Sequence, residues 1–319
     1  MALTDASAAP VRRAAVLALA QLNPKSTDKQ LGAIVARALL GEDTDMRAVA
    51  LAAASAMAAG DYRRGEALPV PDGPVSSSEV LRRLAPNEVG SRIALALNEK
   101  GVRRAIDAQA DEINFVLVAG NGFGRRNQGM SPQESADMLA QCAPLIHEAN
   151  VPLSATISVA FGDPYDGDVD PAVVANLAAQ AQRAGAAEVA LGDTIGVATP
   201  WGVRDLIERV RLEAPDVYLR MHFHDTRGAA LANIFAAIEA GVDVVDSSCG
   251  GIGGCPFAPA ATGNVATEDV VFMLERAGFD TGIDLDGMIK TAIWLEKVLG
   301  HPVSSSLVRA GSFPPNTAS

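Results

Sequence analysis

The sequence predicts an α/β fold, a parallel sheet built from consecutive strand–helix units and preceded by a helical segment. Three observations predict it. From Arg92 onward, six apolar strand patterns alternate with helix patterns. Polar and glycine residues collect just after the strand ends, at Asp193, His224, Asp225, Cys249 and Gly250. The first sixty residues, nineteen of them alanine, carry a helical pattern throughout. Strand–helix alternation of this kind implies right-handed crossovers within one sheet. Polar side chains gathered at strand C-termini mark the functional face of a closed α/β barrel. Six strands can be counted, about two short of the eight that close such a barrel.

The helical segment comes first. Stretches beginning at Pro10 and Asp45 share a register 35 residues apart, which reads either as a pair of HEAT-type repeats or as two ordinary amphipathic helices over residues 1–60. Residues 61–91 contain the polar, proline-dotted run EALPVPDGPVSSSE, expected to be a linker, and a short helix through Leu84 capped by Ser77 or Ser78. The third region, 92–319, holds the strand candidates RIALAL (Arg92 to Leu97), EINFVLVAG (Glu112 to Gly120), LSATISVAF (Leu153 to Phe161), EVALGDT (Glu188 to Thr194), YLRMHFHD (Tyr218 to Asp225) and VDVVDSS (Val242 to Ser248). Between them lie the helix patterns PQESADMLAQCAPLIHEA, DPAVVANLAAQAQRAG and PWGVRDLIERVRLEA.

Composition narrows the function. A net charge of −12 opposes nonspecific binding to nucleic acid or to acidic membranes, and no apolar stretch approaches membrane-spanning length. Three cysteines suit a reducing compartment without a disulfide framework. The start, MALTDASAAPVRRA, does not read as a secretory signal, and Asp5 and Pro10 speak against an arginine-rich leader, so a cytoplasmic location is expected.

The most informative run extends from Met221 to Asn264. Side chains at i and i+2 of a strand share a face, so His222 and His224 aim at one spot, and the chain has only four histidines in all. The plain alternative is a pair of core or surface histidines. The glycines that follow are not a phosphate-cradling P-loop, which would need Lys-Ser or Lys-Thr after them. His147 and His301 are expected at the surface, and Cys142 and Cys249 are expected to be structural. A local basic spot for a phosphorylated ligand is expected at Arg125 and Arg126, in a loop GNGFGRRNQGM, with a merely solvated loop as the alternative.

The runs HFHDTRGAALAN, VVDSSCGGIGGCPFA, GNVATEDVVFML and VALGDTIGVATP resemble the 3-hydroxy-3-methylglutaryl-CoA lyases, metal-dependent TIM barrels that cleave a carbon–carbon bond. Weaker similarity runs from about Arg92 to about Val308. The loop GGCPFA separates this branch from related barrels that act on 2-oxo acids. The resemblance implies a TIM (β/α)8-type barrel, acetyl-CoA and acetoacetate as products, Mg²⁺ or Mn²⁺ as cofactor, and a homodimer. It also implies His222, His224 and Asn264 as metal ligands, and Asp193 as a proton-handling or orienting carboxylate whose plain alternative is capping the turn that follows it. Cys255 becomes the donor of a proton to the enolate carbon, on a loop made mobile by Gly250, Gly251, Gly253 and Gly254. Arg125, Arg126 and Asn127 become contacts to the acyl-CoA.

One departure stands out. The family opens with a strand ending in Arg-Asp-Gly, which supplies a metal carboxylate and an enolate-neutralising arginine, and with a second strand carrying a catalytic glutamate. Neither is recognisable here; the Arg204-Asp205 pair sits inside a helix pattern. An incomplete barrel with impaired activity is therefore expected, and the alternative is a degenerate partial barrel fused to a helical interaction segment.

Overall fold

The computed structural model describes residues 68–70, 73–75, 81, 91–242, 244–254 and 263–313. The expected N-terminal helices, most of the 61–91 segment and Cys255 lie outside the described residues. Within the stretch expected to be a linker, β1 (Leu68–Val70) and β2 (Gly73–Val75) pair antiparallel. In the sequence, Pro71-Asp72-Gly73 is a turn signal.

The chain divides into two compact units. One runs from Ala85 to Asp246 and contains a six-stranded sheet in the order β3 (Ile93–Ala96), β4 (Glu112–Val118), β5 (Leu153–Ser158), β6 (Glu188–Asp193), β7 (Tyr218–Phe223) and β8 (Val244–Asp246). Every strand pairs parallel with its neighbour in sequence. That is the order of an α/β barrel with six of its strands present. All six expected strands are found, each somewhat shorter, because the residues after them turn away into the loops of the functional face. Among the described residues, no parallel strand precedes Ile93.

Two periodicities organise this unit. Ile113, Phe115 and Leu117 of β4, Ile157 of β5, Leu191 of β6 and Met221 and Phe223 of β7 are fully buried. The other parity carries the polar residues Glu112, Asn114, Ser154, Thr156, Glu188, Arg220, His222 and Asp246. They are linked across strands, Asn114 Nδ2 donating to Ser154 Oγ at 2.8 Å, Thr156 Oγ1 to Asn114 Oδ1 at 2.7 Å, and Ser154 Oγ to Glu112 Oε1. Buried polar groups persist only when partnered in this way.

The helices begin where the sequence supplies caps. Asn98 caps α1 (Glu99–Asp107), and α2 spans Asn121–Asn127. Ser131 and Glu134 form a reciprocal capping box on α3 (Pro132–Glu148). Asp170 caps α4 (Pro171–Arg183) and Thr199 caps α5 (Pro200–Glu213). Proline opens three of these helices, where its missing N–H costs nothing. The last helix of the unit, α6 (Ala230–Glu239), starts beneath Asp225, whose Oδ1 accepts from Ala230 N at 2.9 Å.

The second unit includes residues 247–254 and the chain from Gly263 onward. Its elements are α7 (Thr267–Arg276), α8 (Leu285–Leu299) and the short α9 (Leu307–Ala310). Cys249, Ile252, Ala292, Leu295 and Val303 form its apolar centre. Gly250 takes φ 67°, and a Cβ there would meet Val303 at 3.0 Å, so the loop needs glycine for both conformation and space. No helix among the described residues is long and apolar enough to cross a membrane.

Candidate active site

β7 carries the two histidines to the C-terminal end of the sheet. His222 is on the strand and His224 follows it, joined to β6 by His224 N donating to Asp193 O at 3.2 Å. Their ring centroids are 5.1 Å apart and the rings meet edge to face. His224 is 2% exposed, and its Nδ1 is buried without a hydrogen-bond partner among the described residues. Burial, and then the neighbouring His222, push the His224 pKa down to about 3, so the ring is neutral at physiological pH. A neutral imidazole with an unengaged lone pair is what a metal ligand requires. A buried nitrogen would otherwise cost about 1–3 kcal/mol for its lost hydrogen bond. The pair therefore fits a divalent ion. Yet among the described residues no group of three or more His, Cys, Asp and Glu side chains is arranged to hold one, so the described donor set is incomplete.

Asp193 ends β6 and is 1% exposed. Its Oδ1 accepts from Val197 N at 2.8 Å and its Oδ2 from Ala198 N at 3.0 Å. Burial raises its pKa, while those backbone bonds and the proximity of His222 pull it back down. Asp193 thus does cap the turn, and each oxygen keeps a further lone pair for another donor. Just across the sheet end, Val159 adopts φ 51° while fully buried, and its N–H donates to Thr194 Oγ1 at 2.9 Å. A β-branched residue in the left-handed region is strained, and such strain gathers at functional sites.

The sequence offers Asp225 and Asp246 as stand-ins for the unrecognised metal carboxylate, and of the two it is Asp246, at the end of β8, that lies beside a histidine. It is the register partner of His222, and its Oδ2 lies 3.5 Å from His222 Nδ1. Beneath them lies Arg220, fully buried, with Glu188 in direct contact, Glu112 at 3.6 Å and Asp246 at 4.0 Å. The available signal was the two-residue period Arg220, His222, His224, which puts all three on one face.

The run around Arg125 corrects an expectation. It is not a loop but the helix α2. Asp166 Oδ2 accepts from Gly122 N at 2.6 Å and Asp163 Oδ2 from Phe123 N at 2.8 Å, so two carboxylates distant in sequence satisfy its first N–H groups. Arg125 pairs with Glu134 at 2.7 Å on the surface, and the Arg126 guanidinium lies 3.9 Å over the Tyr165 ring. Asn127, half-buried, ends the helix.

In the second unit Asn264 is 3% exposed and its Nδ2 donates to Ile252 O at 3.0 Å. Both oxygens of Glu268, at 3.0 and 3.1 Å, accept from Gly250 N. Burial raises the pKa of Glu268 and pushes the Cys249 thiol well above its ordinary value. Cys142 is likewise buried, and His147 and His301 are exposed.

A parallel α/β sheet with paired histidines at its C-terminal end defines the class, an α/β-barrel enzyme. The HMGL-like family model matches residues 71–294, and the chain belongs to that family. A 3-hydroxy-3-isohexenylglutaryl-CoA/hydroxy-methylglutaryl-CoA lyase from Pseudomonas aeruginosa is 40% identical over 234 residues, 73% of this chain and 78% of that one. A hydroxymethylglutaryl-CoA lyase from Bacillus subtilis is 38% identical over 212 residues, 66% of this chain and 71% of the relative. Among solved structures, the Pseudomonas aeruginosa lyase superposes with TM-score 0.69 at 40% identity, over 73% of this chain and 78% of that one. A lyase from Acinetobacter baumannii, in complex with coenzyme A and 3-methylmalate, gives TM-score 0.74 at 29% identity, over 96% and 94% of the two chains. The protein is a lyase of the HMGL-like family, a family whose lyases are in general metal-dependent.

Proposed function

We propose that the protein is a divalent-metal-dependent lyase that cleaves 3-hydroxy-3-methylglutaryl-CoA, or a similar 3-hydroxy-acyl-CoA, to acetyl-CoA and acetoacetate. The observation that carries this is the His222–His224 pair with its buried, unpartnered nitrogen, in a chain 40% identical to a lyase named for such substrates. His222 and His224 would hold Mg²⁺ or Mn²⁺, and Asn264 is proposed as their partner on the resemblance. Such an ion supplies Lewis acidity at the hydroxyl and carboxylate oxygens of the substrate.

The reaction breaks the bond between the carbinol carbon and the methylene beside the thioester. Asp193, desolvated and with lone pairs to spare, takes or steers the hydroxyl proton as the carbinol becomes a ketone. The bonding pair passes to the thioester as an enolate, and Cys255 delivers the proton that completes the acetyl group. Arg125, Arg126 and Asn127 would meet the anionic coenzyme. The acid-rich surface disfavours nucleic acid, and a cytoplasmic homodimer remains the proposed state.

Turnover is expected to be low, because no Arg-Asp-Gly segment supplies a carboxylate and an arginine. Each such preorganised donor is commonly worth about 3–4 kcal/mol, a hundredfold to a thousandfold in rate, and effects within one site need not add. The test is acetoacetate release from 3-hydroxy-3-methylglutaryl-CoA with Mg²⁺ or Mn²⁺, beside Cys255→Ala. Slow turnover abolished by Cys255→Ala supports the proposal. Robust turnover abolished by Cys255→Ala would overturn the claim of low activity. No turnover in either protein, with the fold intact, would leave a non-catalytic barrel.

A further inference from the structure

We propose that Asp246, set beside the buried guanidinium of Arg220, is a positioning residue that fixes the tautomer and orientation of the His222 imidazole. The register of the sheet sets this up. His222 pairs with Asp246 across β7 and β8, and Arg220 pairs with Val244 one step below on the same strands. Arg220 and His222 share a face because they are two residues apart. A line of side chains therefore runs along the buried face toward the functional end: Arg220, Asp246, His222.

The distances give each member one role. Asp246 Oδ2 is 3.5 Å from His222 Nδ1, at the long edge of hydrogen-bonding distance, and Asp246 Oδ1 is 4.0 Å from Arg220 Nε. The carboxylate thus lies between a cation below and an imidazole above, within ion-pair distance of each; its Oδ1 and the Arg220 nitrogens make no hydrogen bond among the described residues. Arg220 is wholly buried and Asp246 is 5% exposed, so their attraction is weakly screened. A neutral imidazole carries one proton. A carboxylate beside Nδ1 favours the Nδ1–H tautomer and leaves the Nε2 lone pair open, the carboxylate–histidine arrangement that orients metal ligands.

The other nearby carboxylates have hydrogen-bond partners of their own. Asp225 is exposed and caps α6, and both oxygens of Asp193 accept from the following turn. Among the described residues, Asp246 is the one carboxylate within ion-pair distance of a His222 nitrogen. The competing role, Asp246 as a direct metal ligand standing in for the unrecognised first-strand carboxylate, makes a different demand. It would have to leave both Arg220 and His222 Nδ1.

The inference rests on the reading of His222 as a ligand, so its test has two separate readouts. The first is the His222 tautomer in metal-free full-length protein at pH 8, from two-bond ¹H–¹⁵N ring correlations assigned with His222→Gln. The second is Mn²⁺ affinity from the electron paramagnetic resonance of free Mn²⁺. Wild type should show Nδ1–H with bare Nε2. Asp246→Ala should move the ring toward Nε2–H and weaken Mn²⁺ binding about 10- to 100-fold. Asp246→Asn, close in shape and without charge, should fall between the two and serves if the alanine variant does not fold. An unchanged tautomer in both variants overturns the proposal, and loss of Mn²⁺ binding with an unchanged tautomer assigns Asp246 as a ligand instead. A tautomer change in a protein that binds no Mn²⁺ even as wild type supports the positioning role and refutes the metal reading.

Discussion

Replacing Arg220 with methionine removes the cation that Glu112, Glu188 and Asp246 share inside the sheet. Methionine fills much of the same volume, so the loss is electrostatic. Removing one partner of a buried ion cluster costs about 3–5 kcal/mol, because charge is left uncompensated. An independent route gives the same size. A stranded carboxylate escapes its repulsion by taking up a proton, and holding a carboxyl of ordinary pKa about 4.3 protonated at pH 7 costs about 3.7 kcal/mol. That carboxyl would have a folded pKa above its unfolded one, so the penalty is absent below about pH 4.3 and grows as pH rises. At pH 5.5 it should shrink to about 1.6 kcal/mol. The assay is urea unfolding followed by far-UV circular dichroism at both pH values. At pH 7 the deficit corresponds to roughly 6–20 °C in Tm for a cooperative unit of this size. Arg220→Met with Glu188→Gln should recover part of it, since one stranded charge is gone. An Arg220→Met variant within about 0.5 kcal/mol of wild type at pH 7, the scatter of ordinary surface substitutions, would refute the reasoning.

Three further outcomes follow from other groups. The pKa of His224, lowered to about 3 chiefly by burial, makes it a source of stability above its unfolded value near 6.5 that is lost as pH falls toward 3; metal-free His224→Gln should lose less Tm than wild type between pH 7 and pH 4.5. Glu268 is shifted the other way, raised mainly by burial, so its contribution is fully present below about 4.5 and is lost as pH rises. The stability of Glu268→Gln relative to wild type should therefore improve from pH 4.5 to pH 7 in thermal melts. Ser131→Ala removes half of the capping box on α3 and should cost about 1 kcal/mol in urea unfolding.

Local pattern carried much of this fold. The six strands were legible because apolar runs and caps such as Ser131-Pro132 and Thr199-Pro200 bracket them. The helix α2 was not legible. Its glycines look like a turn, and what holds it is remote: Asp163 and Asp166, some forty residues on, accept from its first N–H groups. Gly124 is needed for close approach, since a Cβ would lie 2.4 Å from Met130 O, and that too is invisible locally. Within the site, the strand period placed His222 and His224 side by side. Asp246 is legible only as a spare carboxylate; its pairing with His222, and the part of Arg220, depend on register between β7 and β8, which a single strand does not encode.

The central claim is that His222 and His224 place a divalent ion at the heart of a carbon–carbon lyase. The most direct measurement is acetoacetate release from 3-hydroxy-3-methylglutaryl-CoA by one enzyme preparation in three states: as purified, stripped with EDTA, and restored with Mn²⁺, each beside His224→Ala. The account predicts turnover, however slow, that EDTA removes, Mn²⁺ returns and His224→Ala lacks throughout. Turnover that survives complete chelation, or that His224→Ala retains at the wild-type rate, would contradict it.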